Sequence, residues 1–183
     1  MATDPHLTEH TTAREELLKG HFLHIVRETV RLPDGASATR EYVLHPGAVM
    51  ILAYVDPHTV LLERQYRYPK HRHFIELPAG KLEQGEEPLV TAQRELIEEC
   101  GYEAGQWWHI TTIDPCIGYS NEVIHLYGAR GFRHVGAKLD VGEHLEVFEV
   151  TIADALEWVR DGIITDTKTT LGLLWWDKFG KFP

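Results

Sequence analysis

The chain has 183 residues, 43% of them hydrophobic and 25% charged, which is the composition of an ordinary globular protein long enough to bury a core, expected here as one domain with a small extra lobe. Its formal charge of -10 excludes an electrostatic grip on bare nucleic acid or on an anionic membrane, since both demand clustered Lys and Arg. A phosphorylated small molecule is still compatible with that charge if local arginines or divalent cations mediate the contact. Only Cys100 and Cys116 are present, which makes no disulfide framework and fits a reducing compartment. No basic start followed by an apolar run opens the chain, and no segment approaches a bilayer span, so a cytoplasmic protein is expected. The twelve histidines show no zinc-ligand spacing and read as mostly exposed surface.

In chain order, residues 1–20 read as a mobile N-terminal segment, with a helical turn over Thr12–Lys19 closed by Gly20. His21–Leu32, rich in β-branched residues, ends at the turn Pro33-Asp34-Gly35 and is followed by a second strand, Thr39–Leu44, whose Arg40 and Glu41 place it at an edge or facing solvent. The run Ala48–Val55 is apolar without alternation, as expected of a strand buried on both faces. Thr59–Tyr66 reads as the strand returning from the turn at Asp56-Pro57-His58, and Arg67–Arg72 as a loop dense in cations and aromatics, suited to phosphate contacts.

A short strand, HFIELP at 73–78, leads into the stretch GKLEQGEEPLVTAQRELIEECGY, Gly80 to Tyr102. There a glycine loop opens a helix that starts near Glu86-Glu87-Pro88 and stops at Gly101. At 100° per residue Leu89, Ala92, Leu96 and Cys100 share one face, with Ile97 at its margin. Glu95, Glu98 and Glu99 share the opposite flank, where like charges three and four residues apart repel and call for a compensating cation. Mg²⁺ answers that need, because it takes oxygen ligands and keeps waters that a substrate phosphate can replace.

Strands recur at Trp107–Ile113, Val123–Ala129 and Leu145–Thr151. Two helices close the chain, about Ile152–Asp161 and about Asp166–Lys178. The second is capped at Thr165 or Asp166 and is expected to bury Leu171, Leu174 and Trp175.

The spacing glycine, five residues, glutamate, seven residues, then Arg-Glu-apolar-x-Glu-Glu-x-Gly-bulky resembles the signature of the Nudix hydrolases. Gly80, Glu86, Arg94, Glu95, Leu96, Glu98, Glu99 and Gly101 occupy its positions, and Tyr102 stands at the last bulky one. The similarity extends over most of residues 42–180. The segments RQYRYP at 64–69, ELPAG at 76–80 and GYSNE at 118–122 resemble the branch acting on ADP-ribose and nucleoside diphosphate sugars, although Ile117 stands where that branch often has proline.

The resemblance implies an α/β (α+β) fold, a Nudix-type α/β/α sandwich with a mixed sheet plus N-terminal antiparallel strands. The domain reading is a mobile segment at 1–20, N-terminal strands at 21–45 forming a dimerisation lobe, and a Nudix catalytic domain at 46–183. Strands exchanged between protomers of a homodimer are part of the same implication.

By resemblance Glu95, Glu99 and the Ala79 carbonyl are metal ligands and Glu98 lies close to the cluster, while Gly80, Glu86 and Arg94 hold the motif in shape. The cofactor is Mg²⁺, or Mn²⁺. Glu143, on a loop after Gly142, or Glu98 acts as the base. Arg67 holds a phosphate, and Glu76 a ribose hydroxyl or the nucleobase. The implied reaction splits ADP-ribose, a small-molecule nucleoside diphosphate substrate, into AMP and ribose 5-phosphate by in-line attack of a metal-activated water. Two other readings stand beside it: a hydrolase of another nucleotide sugar such as GDP-mannose, and a regulatory Nudix domain that binds ADP-ribose without cleaving it.

Overall fold

The computed structural model describes residues 4–180; residues 1–3 of the expected mobile segment and 181–183 of the expected catalytic domain lie outside them. The chain divides into two compact units. One takes in the chain up to His45 together with Cys116–Glu122, and the other contains Pro46–Pro115 and the chain from Val123 onward.

The first unit is built on an antiparallel sheet of β1 (His10–Lys19), β2 (His24–Arg31) and β3 (Ser37–Val43), in that order. Alternation along β2 buries Val26, Glu28 and Val30, and the turn into β3 uses Gly35 at φ +88° with the Asp34 carboxylate accepting from the Ala36 amide at 2.9 Å. The helical turn expected over Thr12–Lys19 is instead part of β1. Arg, Glu and Leu favour helix locally, but pairing with β2 decides the outcome: Arg14 Nε bonds Glu28 at 2.7 Å, Arg27 reaches Glu15 at 3.3 Å, and His24 meets Glu16 at 2.9 Å. The GYSNE segment belongs to this unit and joins the end of β3 through a bridge between Val43 and Ser120, with the His45 amide donating to Asn121 at 2.7 Å.

The second unit is a sandwich around a seven-stranded mixed sheet. Its main path is β10 (Leu145–Thr151), β5 (Thr59–Arg67), β4 (Ala48–Asp56), β9 (Ile124–His134) and β8 (Tyr102–Ile113). β6 (Arg72–Glu76) adds to β5 and β7 (Ala79–Lys81) adds to β4. Only the β4–β9 pairing is parallel among the pairings of this sheet in the described residues. Strand β4 explains the layering. Met50, Leu52 and Tyr54 point to one face, where α2 (Ile152–Arg160) and α3 (Thr167–Phe179) supply Ala155 and Leu173; Val49, Ile51 and Ala53 point to the other, where α1 (Pro88–Cys100) supplies Ala92, Leu96 and Cys100. A strand covered on both sides cannot alternate, which is why its sequence is uniformly apolar.

Three local expectations change. The glycine of the loop before α1 lies in a strand, β7, and the loop proper starts after Lys81. Leu89 is exposed, because the sheet-facing stripe of α1 begins one turn later at Ala92. On α3 the buried positions are Thr169, Gly172 and Leu173. Leu174 is 48% exposed and lines an open groove of about 550 Å³ with Leu171 and Trp175. The apolar face of α3 is wide enough that periodicity alone does not choose its inner side; Gly172, packed against Leu77 and Met50, does.

Candidate active site

Strand β7 and helix α1 meet at Gly80. A β-carbon there would lie 1.8 Å from Cδ of Glu95, so glycine is required by close approach of the Glu95 carboxylate. One residue away, the Ala79 amide donates to Glu99 Oε2 at 3.1 Å. The two glutamates one helical turn apart therefore both sit over β7.

Arg94 fixes the loop between these elements. Its Nε and Nη2 grip Glu86 in a fork, both at 3.0 Å, Nη2 also reaches the Lys81 carbonyl at 3.1 Å, and Nη1 donates to Glu95 at 2.8 Å and Glu98 at 2.7 Å. Glu86 further accepts from the Glu83 amide and the Thr91 hydroxyl. The Arg94 guanidinium, with these donors, pulls the Glu86 carboxyl down to about 2.

The carboxylates over β7 go the other way. Burial pushes Glu95 up to about 7, with Arg94 opposing and Glu98 and Glu143 adding to the rise. Burial pushes Glu99 well above the carboxylate range, reinforced by the charges of Glu63, Glu95 and Glu143 in that order. Glu63 on β5 is fully buried, and burial followed by the charge of Glu76 raises it to about 8.

A second cluster borders the first. Glu63 and Glu76 face each other across β5 and β6. Arg67 holds Glu76 in a fork at 2.7 and 2.9 Å, and Lys168 bonds both Glu76 and Asp166. Burial pushes Glu76 up, but Arg67 and Lys168 outweigh it and hold its carboxyl below the usual range. Lys168 is brought here by the start of α3. Asp166 caps the helix by accepting from the Thr169 amide at 3.0 Å and hydroxyl at 2.7 Å, and that hydroxyl accepts from the Leu77 amide at 2.9 Å. Arg67, Phe74, Glu76, Asp166 and Lys168 line a cavity of about 340 Å³, a volume suited to part of a small ligand. Glu143 lies on the loop before β10, half-buried, with only long contacts from Gln65 at 3.5 Å and the Asp140 amide at 3.4 Å.

Comparison with known proteins agrees with this architecture. The NUDIX domain family matches residues 44–166, and the nucleoside diphosphate sugar hydrolase N-terminal domain matches residues 9–43. The chain belongs to the NUDIX domain family. It is 41% identical over 169 residues to an ADP-ribose pyrophosphatase of Bacillus subtilis (strain 168), covering 91% of each chain. It is 38% identical over 167 residues to a methanol dehydrogenase activator of Bacillus methanolicus, covering 90% of each. A solved ADP compounds hydrolase shares the fold, with a TM-score of 0.83 at 19% identity, over 94% of this chain and 95% of that one.

Within the Nudix site, the structure brings Ala79, Gly80, Glu86, Arg94, Glu95, Glu98 and Glu99 together, and it places Arg67 and Glu76 against each other. The donors fit a hard divalent cation: a half-buried carboxylate at Glu95, a buried one at Glu99, and both oxygens of buried Glu63 without a hydrogen-bond partner. They do not form a ready-made cage, since among the described residues no three His, Cys, Asp or Glu side chains are already arranged around one point, and Arg94 engages Glu95 and Glu98 instead. Sequence reasoning missed Glu63 and Lys168. The first carried a signal, a lone carboxylate following Val60-Leu61-Leu62 in a strand buried on both sides; the second carried none, because only the fold sets α3 beside β6.

Proposed function

We propose that this chain hydrolyses the pyrophosphate bond of nucleoside diphosphate sugars, with ADP-ribose as the preferred substrate and AMP and ribose 5-phosphate as products, in a Mg²⁺-dependent reaction that Mn²⁺ also supports. The chain is a Nudix pyrophosphohydrolase, and the observation that carries the reading is the pair of carboxylates, half-buried Glu95 and buried Glu99, packed over Gly80 and Ala79. Such groups stay charged only beside a cation, and the protein's own cation at this point, Arg94, is already shared with Glu86 and Glu98.

Glu95, Glu99 and the Ala79 carbonyl would hold the cation, which would supply charge neutralisation at the pyrophosphate and a lowered pKa for a water. Glu143 takes the proton from the attacking water. Its loose contacts leave it available, and its charge is felt at both Glu95 and Glu99, whereas Glu98 is tied to Arg94. Arg67 and Lys168 supply positive charge beside the 340 Å³ cavity, Glu76 orients both, and Phe74 offers an aromatic wall for the nucleoside or sugar.

The first unit is a dimerisation lobe in the same proposal. Strand β1 is the edge of its sheet and exposed along its whole length, with Leu17 and Leu18 among its residues, which supports pairing with a second copy. A reducing, cytoplasmic setting goes with the two free cysteines. Phosphate release after phosphatase treatment, measured over ADP-ribose, GDP-mannose and other nucleotide sugars with Mg²⁺, tests the substrate. Turnover highest on ADP-ribose is expected, and binding of ADP-ribose without turnover would replace the reading by a regulatory one. Light scattering at micromolar concentration tests the dimer, and a monomer would contradict it.

A further inference from the structure

Glu63 differs from every other carboxylate around this site. Glu86 is held by Arg94 and two further donors, Glu76 by Arg67 and Lys168, Glu95 and Glu98 by Arg94, and Glu99 by the Ala79 amide. Glu63 is 0% exposed and has no hydrogen-bond partner at either oxygen. It sits in a strand where Leu61 and Leu62 pack without penalty. Alternation along β5 places it on the Leu61 face, which is the face covered by α1. On that face Leu61 and Ile51 pack with Leu96 and Cys100 of α1, the helix residues on either side of Glu99, and Glu99 is itself 5% exposed, so both carboxylates are buried between the sheet and this helix.

Among the described residues no side-chain cation bonds either oxygen of Glu63, although the charges of Lys168 and Arg67 reach it and oppose its rise. Arg67 and Lys168 are both taken up by Glu76, with Asp166 also on Lys168, and Arg94 lies on the flank of Glu86 and Glu98. Two carboxylates buried under one helix, one of them with no hydrogen-bond partner at either oxygen, are a donor set for a hard divalent cation, which takes oxygen ligands and tolerates several carboxylates at once.

We propose that Glu63 is a direct ligand, together with Glu99, of a divalent cation seated on the sheet side of α1, in addition to the Glu95, Glu99 and Ala79 ligands. The proposal rests on the reading of the site as cation-dependent and adds a ligand from outside the helix motif. It makes β5, and not the motif alone, a determinant of how many cations the site holds and how tightly.

The test is a Mn²⁺ titration of the chelator-stripped full chain without substrate, followed by calorimetry and by the electron paramagnetic resonance of free Mn²⁺, for the wild type, Glu63→Gln and Glu63→Leu. Either one bound equivalent is lost or a dissociation constant weakens by at least ~10-fold in both variants. The leucine variant, which removes the buried carboxylate, also melts higher than wild type without metal and gains less on adding Mn²⁺. If Glu63→Gln fails to fold, Glu63→Leu carries the test. Unchanged stoichiometry and affinity in a folded variant overturn the role of Glu63 and leave the cation reading standing. A wild type that binds no Mn²⁺ overturns both.

Discussion

Two acidic regions flank the same helix and receive opposite treatment. At one, Glu86 accepts four hydrogen bonds, two of them from Arg94, and its carboxyl falls to about 2. At the other, half-buried Glu95 and buried Glu99 sit over β7, Glu63 is buried on the sheet face that α1 covers, and burial drives their carboxyls up. The residue type is the same, so the environment decides the role. A carboxylate with a full set of donors is a fixed strut that holds loop to helix, while a buried carboxylate short of donors has its coordination capacity unused. The contrast separates the structural half of the Nudix motif from the half proposed to do the chemistry.

Removing a carboxylate from the buried group should have the largest effect. Glu99→Gln is expected to lower turnover on ADP-ribose roughly 1,000-fold, the loss of several kcal/mol of transition-state stabilisation, with an unchanged circular dichroism spectrum; near-wild-type turnover would remove Glu99 from the machinery. Next comes the proton acceptor. Glu143→Ala should cost ~100-fold or more in kcat, whereas Glu98→Gln should cost far less; the reverse pattern assigns the base to Glu98.

Gly80→Ala tests the close approach itself. Its methyl group would occupy the position of the Glu95 carboxylate, so the helix or the side chain must shift, and turnover should fall by about 100-fold for a displacement near 1 Å. Full activity in this variant would mean that glycine serves another purpose there.

On the strut side the effect should be one of stability. Arg94→Ala leaves Glu86 without its fork and the Lys81 carbonyl without its donor. About 1–3 kcal/mol should be lost, moderated because Arg94 is partly exposed, as a lower midpoint in urea unfolding.

The smallest effect is a pH dependence with two limbs of opposite origin. Glu86, depressed to about 2, contributes stability that is present above its ordinary value of 4.5 and lost as pH falls toward 2. Glu95 and Glu63, raised to about 7 and about 8, contribute stability that is present below 4.5 and lost as pH rises through those values. In chelator, therefore, the melting temperature should fall by a few degrees both below pH 4 and from pH 5 to pH 8. Mg²⁺ should remove the alkaline decline alone, because it binds the ionised carboxylates. An alkaline decline that persists with saturating Mg²⁺ would detach these groups from the cation.

Much of this was legible without coordinates. The uninterrupted run of β4 declared a strand covered on both faces, Pro88 and Gly101 bracketed α1, and the spacing from Gly80 to Glu99 set the motif. Each signal is short-range, carried by neighbours within a few residues whose geometry a helix or strand fixes by itself. Where the reading departed from the structure, the deciding partner lay far away in the chain. β1 is a strand because β2 lies beside it, and α3 turns Leu173 inward, leaving Leu174 outside, because Gly172 meets Met50 and Leu77.

The sequence by itself determined most strands and helices through their periodicity and the glutamates of α1 through their spacing, and its resemblance to the Nudix signature implied the family and the mixed α/β sandwich. Only the tertiary structure decided which of those glutamates are satisfied and which are not. It set Arg94 between Glu86 and Glu98, brought Lys168 from α3 onto Glu76, and buried Glu63 from β5 on the sheet face covered by α1. The physical reason is that burial and charge depend on everything within a few ångströms, and a folded chain fills that distance with residues remote in sequence.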